Sequence, residues 1–266
     1  MTRNKLATSA YKACLDFVPL LPATTPMPFV LVAPPRSGST LLQRYLHAHP
    51  NAVCMHELYS PGAGTPRFMR YQLGRRSALL RKRGEPERFL SDLLLGKHPP
   101  WIRAAGFKLL YAQPREPELR SRAWKAVTGV PGMRVVHLLR NPVRCAVSLE
   151  VARQTGDWIG RSTDTAHRID PAKLVRRLER LDAMQRDCSK RLSTLESHTV
   201  QYQDLVNDPP RCLGSVFSFL GLPRQSLPAP IRRQNARSLE STVKNMAEIE
   251  SALAGTRWIE ALQEAM

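Results

Sequence analysis

The feature that most constrains the fold is an apolar run that leads through a glycine-containing turn into an amphipathic segment. The run is Phe29-Val-Leu-Val-Ala, the turn is Pro-Pro-Arg-Ser-Gly-Ser-Thr, and Leu41-Leu42 begins the amphipathic segment. A strand, a tight turn and a helix in this order direct backbone N–H groups and the positive end of a helix dipole at one point. The segment therefore predicts a binding site for a phosphate or sulfate group within an α/β fold.

Further apolar runs recur along the chain, separated by helical patterns. The candidate strands are residues 29–33, 52–55, 106–111, 134–139 and 199–202. Most of them lack regular polar alternation, which is typical of strands buried on both faces of a parallel sheet. Asp208-Pro209-Pro210 and Gly221 carry helix start and stop signals. We predict one domain over residues 1–266, an α/β P-loop-type fold with a central, mostly parallel sheet of about five strands flanked by helices.

The charge balance predicts an anionic partner without identifying it. The chain has 40 Lys and Arg against 22 Asp and Glu, a net charge of +18, and 42% hydrophobic residues, enough for a buried core. The densest basic run is residues 67–88, where only Glu85 and Glu87 oppose the arginines and the lysine. A solvated helical face is one interpretation of this run. A surface for an anionic acceptor, or for the anionic membrane that carries it, is the other.

The cysteines and the N-terminal residues bear on the compartment. The five cysteines are odd in number, widely spread and without C-x-x-C or zinc-ligand spacing, so we expect reduced thiols and no metal. The apolar stretch 14–22 contains Asp16 and two prolines, unlike a signal peptide, and no run approaches the ~20 apolar residues that span a bilayer. We expect a soluble cytoplasmic protein.

The turn departs from the nucleoside triphosphate loop G-x-x-x-x-G-K-[ST] in an informative way. Ala33 replaces the first glycine, Gly38 keeps the second, Ser39 replaces the lysine and Thr40 keeps the hydroxyl. The missing lysine is the group that reaches β- and γ-phosphates. Arg36 instead places the positive charge inside the turn, which argues against a nucleotide kinase or hydrolase.

A second anion site is predicted at the end of the strand 134–139. A nucleoside triphosphatase needs an aspartate there to help hold magnesium, whereas this strand leads into Arg140. Asn141 is a helix cap, Pro142 fits the first helical position, and Ser148 lies two turns further along. A cofactor with phosphates at both ends of a nucleoside satisfies the two sites together.

The two motifs together resemble the sulfotransferases that use 3′-phosphoadenosine 5′-phosphosulfate (PAPS). The resemblance rests on P-R-S-G-S-T after one strand and R-N-P-x-x-x-A-V-S after a later one. Tyr202-Gln-Asp-Leu is similar to the family's Y-E-D-L segment, with Gln203 in place of the usual Glu. The tail from Arg233 to Trp258 is similar to the C-terminal segment of bacterial members. The match covers residues 28–266, which leaves 1–27 as an N-terminal extension and 60–105 as a variable segment on the acceptor side.

The resemblance implies the donor and the residues that bind it. PAPS is expected as donor and 3′-phosphoadenosine 5′-phosphate (PAP) as product, with no metal. The loop 36–40 would bind the 5′-phosphosulfate, Arg140 and Ser148 the 3′-phosphate, and Tyr202 would lie near the nucleotide. Ser238, with Arg237 and Lys244, would cover the 3′-phosphate. The expected cofactor-binding residues are therefore Arg36, Ser37, Gly38, Ser39, Thr40, Arg140, Ser148, Tyr202 and Ser238.

Glu57, Lys108 and Arg36 are the expected catalytic residues. Glu57 follows a predicted strand, and the stretch from His49 to Glu57 resembles H-P-D-x-x-C-x-E-E of tyrosylprotein sulfotransferases, in which a Glu at this place acts as base. The alternative is that Glu57 only caps a helix or pairs with an arginine, and His56 is the rival base. Lys108 lies in an apolar strand, so it either meets an anion or extends to solvent. The family places such a lysine near the leaving-group oxygen.

The acceptor and two competing functions stay open at this point. Arg36 stands where many cytosolic members have Lys, as in bacterial carbohydrate and tyrosylprotein members, so we expect a carbohydrate or glycolipid hydroxyl. A protein tyrosine, a phenol or a natural-product hydroxyl is the alternative acceptor. A nucleotide kinase lacks the loop lysine, and a nucleic-acid-binding module lacks zinc-finger and RRM signals. A binding protein without turnover on the same fold is a third alternative. The sequence does not indicate an oligomeric state.

Overall fold

A computed structural model of the chain describes residues 24–59, 84–96, 98–158, 165–228 and 238–266. The strands in these segments are β1 Met27–Ala33, β2 Ala52–Glu57, β3 Ala104–Leu110, β4 Arg134–Leu139 and β5 Ser197–Gln201. The helices are α1 Ser39–Ala48, α2 Pro86–Leu94, α3 Pro117–Gly129, α4 Pro142–Thr155, α5 Pro171–Leu192, α6 Tyr202–Asn207, α7 Pro209–Phe219, α8 Leu239–Thr242, α9 Met246–Leu253 and α10 Ile259–Gln263.

The five strands form one parallel sheet in the order β2-β3-β1-β4-β5. This confirms the predicted α/β class and the five expected strands, whose ends differ by at most two residues from those expected. The central strand β1 lies between β3 and β4, and residues 29–33 are fully buried. Because the carboxyl ends of parallel strands meet at one edge, the loops after all five strands converge there.

Alternate residues of β1 point to opposite faces of the sheet, and helices cover both faces. Val30 and Val32 pack in a core with residues of α2, α3 and the end of α5. Phe29 and Leu31 pack in a second core with residues of α1, α6 and α7. A strand buried on both faces has no polar side to show, which explains the missing alternation in the sequence.

Two of the predicted helix starts are confirmed. The Asn141 side chain accepts hydrogen bonds from the N–H groups of Val143 and Arg144, and Pro142 begins α4. The Asp208 side chain accepts from Arg211 N, and Pro209 begins α7. These caps satisfy N–H groups that have no partner within the helix. The α4 cap fixes the point at which β4 ends and the second anion motif begins.

Some expectations concern residues outside the described segments. Residues 60–83 lie outside them, so only Gly84, Glu85 and the start of α2 represent the end of the basic run 67–88. In the remainder of the segment 60–105, Phe89 and Leu90 are fully buried in the core. Cys54, Cys145, Cys188 and Cys212 are buried and form no disulfide within the described segments. None of the described helices is both long enough and apolar enough to cross a membrane.

Candidate active site

The glycine turn between β1 and α1 lies at the carboxyl edge of the sheet. Arg36 and Gly38 have φ angles of 65° and 89°, in the left-handed region that favours glycine. A Cβ atom on Gly38 would overlap ring carbons Cε2 and Cδ2 of Tyr202. Tyr202 begins α6 after β5, so the tyrosine ring packs directly on the turn. The turn needs glycine at position 38 for two reasons, its φ angle and this close approach.

Hydrogen bonds join the turn to the second motif. Arg36 Nε donates to Ser148 Oγ over 3.1 Å, and Arg140 Nη1 donates to the Arg36 carbonyl over 2.9 Å. The Arg140 guanidinium lies 4.2 Å from the centre of the Tyr202 ring. The structure therefore brings together Arg36, Gly38, Arg140, Ser148 and Tyr202, although more than 100 residues separate the motifs in sequence.

The charges at the turn favour an anion. Burial and the neighbouring Arg140 lower the pKa of Arg36, and Asp157 only partly offsets them. Ser37 is fully buried, and neither its Oγ nor Arg140 Nε has a hydrogen-bond partner among the described residues. Buried polar atoms without partners are costly, and a sulfate or phosphate oxygen would satisfy hydrogen-bond donors of this kind. The residues present therefore fit a phosphate or phosphosulfate group.

A buried lysine links the turn to β2 and β3. Lys108 Nζ lies 2.8 Å from Glu57 Oε1 and donates to Thr40 Oγ1 over 3.0 Å, with only 3% of its side chain exposed. The pairing of β2 with β3 shifts between Met55 and Glu57, which aligns Glu57 with Lys108. Lys108 thus meets an anion rather than solvent, and Glu57 pairs with a lysine rather than with an arginine or a helix end.

The local environment sets the ionisation of the two candidate bases. Burial alone would raise the pKa of Glu57, but Lys108 and hydrogen bonds from Lys108 and Gln113 outweigh it and lower the pKa below its ordinary value of 4.5. Gln113 Nε2 donates to Glu57 Oε2 over 2.6 Å. Burial, then Lys108 and Arg44, lower the pKa of His56 to about 4. At neutral pH, Glu57 is a carboxylate and His56 is uncharged.

The remaining predicted residues have other surroundings. Ser39 is buried at the start of α1. The Ser238 hydroxyl caps α8 by accepting from Ser241 N over 3.2 Å, and in the described part of the chain no hydrogen bond joins it to the turn or to Arg140. Its role over the 3′-phosphate stays a prediction, while Arg233 and Arg237 lie outside the described segments. The His137 ring forms a hydrogen bond with the Tyr111 hydroxyl over 2.6 Å.

Two contacts near the site were not predicted, namely that of the Gln113 side chain with Glu57 and that of the Trp158 backbone with Arg36. The Trp158 carbonyl accepts a hydrogen bond from Arg36 Nη1 over 2.7 Å. Neither residue belongs to a motif, so the sequence holds no local signal for them. Asn141 Nδ2 donates to the Ala261 carbonyl over 2.7 Å, which attaches the C-terminal helices to the start of α4.

A cleft of about 530 Å³ opens beside Arg140. Its lining includes Asn141, Gln201, Gln203 and Trp258. It offers amide groups and an aromatic side chain next to the second anion motif. Among the residues that the structure describes, no group of three or more His, Cys, Asp or Glu side chains is placed to hold a metal ion.

Comparisons with known proteins place these features in a family. A family model described as "Sulfotransferase family" matches residues 28–226. The chain is similar to Nodulation protein H of Rhizobium tropici, with 29% identity over 245 residues that cover 87% of this chain and 91% of the relative. It is also similar to Nodulation protein H of Rhizobium meliloti (strain 1021), with 27% identity over 239 residues that cover 84% of this chain and 90% of the relative.

Two solved structures match the chain at lower sequence identity. A sulfotransferase from Alicyclobacillus acidocaldarius matches with a TM-score of 0.47 and 17% identity, covering 91% of this chain and 97% of that chain. The sulfotransferase domain from the curacin biosynthetic pathway matches with a TM-score of 0.46 and 19% identity, covering 83% of each chain.

Proposed function

Because the chain belongs to the sulfotransferase family, we propose that it transfers the sulfuryl group of PAPS to a hydroxyl of a carbohydrate or glycolipid. The family match places the chain among sulfotransferase enzymes. The donor and the acceptor are the proposed steps beyond it. The observation that carries the donor assignment is the pair of guanidiniums at the glycine turn, Arg36 and Arg140, beside the unpartnered Ser37 hydroxyl. The alternatives of a nucleotide kinase and a nucleic-acid-binding module have no support from that match.

The donor would be held at both of its charged ends. The N–H groups of the turn 36–40 and the Arg36 guanidinium would bind the 5′-phosphosulfate. Arg140 and Ser148 would bind the 3′-phosphate, and Tyr202 would border the nucleoside. When bound, PAPS supplies the sulfuryl group and a phosphate leaving group. Arg36 of the turn contacts both Ser148 and Arg140, and Arg140 packs on the Tyr202 ring. These contacts support a single ligand that spans the turn and the second motif.

Glu57 and Lys108 are the proposed catalytic pair. The Glu57 carboxylate would accept the proton of the acceptor hydroxyl, and Lys108 would place its positive charge near the leaving oxygen. Both lie next to Thr40 of the turn, because Lys108 Nζ contacts both Glu57 and the Thr40 hydroxyl. Fixed charges in a site of low water content stabilise a transition state more strongly than the same charges in solvent. The ionised state of Glu57 at neutral pH supports its role as base.

His56 is the weaker candidate for the base. Its pKa of about 4 leaves the imidazole uncharged at neutral pH and gives it no greater basicity than a carboxylate, so the choice of Glu57 rests on its position beside Lys108 and Thr40. Glu57 also has a lowered pKa, so the Lys108 ion pair weakens it as a base while it orients the carboxylate. Glu57 accepts two side-chain hydrogen bonds, from Lys108 and from Gln113, which fix the position of the oxygens.

The acceptor assignment rests on the loop. Arg36 in place of lysine is similar to bacterial carbohydrate and tyrosylprotein sulfotransferases, and we propose a carbohydrate or glycolipid hydroxyl as the substrate. The alternative acceptor is a protein tyrosine, a phenol or a natural product. We also propose that the enzyme acts in the cytoplasm, with peripheral contact to an anionic membrane surface where the acceptor is a glycolipid. The net charge of +18 supports that contact.

Transfer of a radioactive label tests the proposal directly. The protein is incubated with ³⁵S-labelled PAPS and, in parallel, with neutral oligosaccharides, a bacterial glycolipid extract, a tyrosine-containing peptide and a simple phenol. Label on an oligosaccharide or glycolipid is the expected result, and the variant Arg140→Ala should lose most of it at low donor concentration. Label on the peptide or the phenol alone would replace the acceptor assignment. Absence of label from every acceptor would contradict the proposed donor chemistry.

A further inference from the structure

The indole of Trp158 is exposed beside the glycine turn. Its exposed fraction is 54%, and within the part of the chain that the structure describes only Met266, at 45%, is another large hydrophobic side chain in the exposed class. Of the other three tryptophans, Trp124 and Trp258 are buried and Trp101 is half-buried. An exposed indole leaves apolar area in water that a ligand could cover.

The position of Trp158 is set by the turn itself. Its carbonyl accepts from Arg36 Nη1 over 2.7 Å, across 122 residues of sequence. The same guanidinium donates through Nε to Ser148 of α4. Arg36 thereby connects three parts of the site: its own loop, the helix that follows Arg140, and the backbone at Trp158. The backbone of Trp158 is therefore held at the turn that would bind the donor, while its side chain is exposed.

We propose that the Trp158 indole is the surface on which a pyranose ring of the acceptor stacks during transfer. The inference rests on the proposed function, which supplies the carbohydrate acceptor, and adds a binding residue outside every motif. One face of a pyranose ring presents C–H groups, which pack against an aromatic ring. The ring's hydroxyls point sideways and need polar partners.

The neighbours of Trp158 favour a sugar over a phenol. The adjacent Asp157 acts electrostatically on Arg36, and Arg36 bonds the Trp158 carbonyl, so an acidic and a basic residue lie near the backbone of Trp158. Such groups donate to and accept from hydroxyls. A phenol or a tyrosine ring instead gains most from an enclosed apolar pocket, and an indole that is 54% exposed does not provide one. An exposed aromatic side chain with charged residues near its backbone fits a polyhydroxylated ring.

Tryptophan fluorescence can report selectively on Trp158, because the other three tryptophans are less exposed to a quencher in solvent. The probes are cellopentaose, chitopentaose and maltopentaose, each added with PAP to the full chain, with a tyrosine peptide and a phenol in parallel. Quenching by neutral acrylamide should report mainly Trp158. We expect at least one pentasaccharide to reduce this quenching, and Trp158→Phe to remove most of the quenchable emission. Trp101→Phe, which changes a half-buried tryptophan, should keep the sugar effect.

Affinity and turnover complete the test. Trp158→Ala should weaken binding of the effective pentasaccharide by about tenfold, the scale of one aromatic contact, while PAP affinity and kcat at saturating sugar stay near wild type. The inference is overturned if no pentasaccharide protects Trp158, if Trp158→Ala binds sugar as wild type does, or if only the peptide or the phenol protects. Protection without any ³⁵S transfer would contradict the proposed donor chemistry and leave the stacking surface in place, so the two failures are distinguishable.

Discussion

The Lys108 ammonium lies 2.8 Å from the Glu57 carboxylate, and the lysine side chain is 3% exposed whereas the glutamate side chain is 27% exposed. A buried ammonium without a counter-ion is strongly destabilising, so Glu57 stabilises Lys108 whatever its part in the chemistry. The same contact orients the carboxylate beside the Thr40 hydroxyl of the turn. One ion pair therefore serves the stability of the fold and the geometry of the proposed reaction, and experiments must separate the two.

Glu57→Gln tests the catalytic role. The amide keeps the shape of the side chain but cannot accept the acceptor proton, so turnover should fall by roughly 10²-fold or more. PAP affinity, measured by calorimetry, should stay near wild type because no described contact joins Glu57 to Arg36 or Arg140. Glu196→Gln is the matched control, because Glu196 also forms an ion pair but does so with Arg134 at the start of β4, at the end opposite Arg140. Unchanged turnover in Glu57→Gln would remove Glu57 as the base.

The double variant Glu57→Gln/Lys108→Met tests the structural role. Glu57→Gln alone leaves a buried ammonium without its counter-ion, and we expect a loss of about 1–3 kcal/mol in the free energy of unfolding. Methionine needs no counter-ion and fills a similar volume, so the double variant should recover part of this loss. Urea unfolding of the wild type, the two single variants and the double variant measures the coupling free energy between Glu57 and Lys108. Additive losses would show that the pair contributes nothing to stability as a pair.

Arg140→Ala tests the second anion site. Loss of a charge-assisted hydrogen bond should weaken PAP binding by about 1.5–3 kcal/mol. Arg134→Ala is a suitable control, because Arg134 also lies over an aromatic ring, that of Phe219 at 5.4 Å, but begins β4 instead of following it. Calorimetric titration of PAP should separate the two variants. Equal PAP affinity in Arg140→Ala and wild type would take Arg140 out of the site.

The strands and the two anion motifs could be predicted because their signals are local. A strand buried on both faces has to be apolar throughout, and β1 satisfies this over residues 29–33. The cap at Asn141 and the turn glycine at Gly38 are likewise set by nearby backbone geometry. The two motifs meet because β1 and β4 are neighbours in the sheet, and this strand order is a finding of the structure.

Contacts set by register and by distant backbone could not be predicted. The Glu57–Lys108 pair depends on a register shift in the pairing of β2 with β3. No residue pattern in either strand indicates this shift. Trp158 meets Arg36 through its carbonyl, an atom that every residue has. The Ser238 hydroxyl caps the short helix α8, and its expected place over the 3′-phosphate stays a prediction. Sequence patterns identify residue types, whereas these contacts depend on which distant segments of the chain the fold brings to the site.

Gly38→Ala tests the fit between the turn and Tyr202. The substitution combines a φ of 89° with a Cβ that overlaps the tyrosine ring, so it should displace the ring and disrupt the turn. Gly156→Ala is a matched control with a φ of 70° and no heavy atom within 4 Å of the added Cβ. The control should lose only about 1 kcal/mol of stability. Gly38→Ala should lose more stability than the control and should also weaken PAP binding tenfold or more. Comparable PAP affinity in the two variants would contradict this prediction.

The histidines that burial keeps uncharged predict a loss of stability in mild acid. Burial lowers the pKa of His98 to about 4, and the pKa of His56 is also about 4, whereas an unfolded histidine titrates near 6.5. Below pH 6.5 the unfolded chain therefore binds protons that the folded chain does not, and the free energy of unfolding falls until the folded pKa is reached. For His98 the full effect is roughly 3 kcal/mol.

Glu57 does not contribute to the decline in the free energy of unfolding between pH 6.5 and 5.0. Its pKa lies below the ordinary 4.5 in the folded chain, so its contribution to stability is lost only as the pH falls further. Urea unfolding at pH 7.5, 6.5, 5.5 and 5.0 should show a steady decline that begins near 6.5. His98→Gln removes one titrating group and should decline less steeply than wild type over this range. Equal slopes for the two proteins would show that His98 takes up a proton in the folded state as readily as in the unfolded chain.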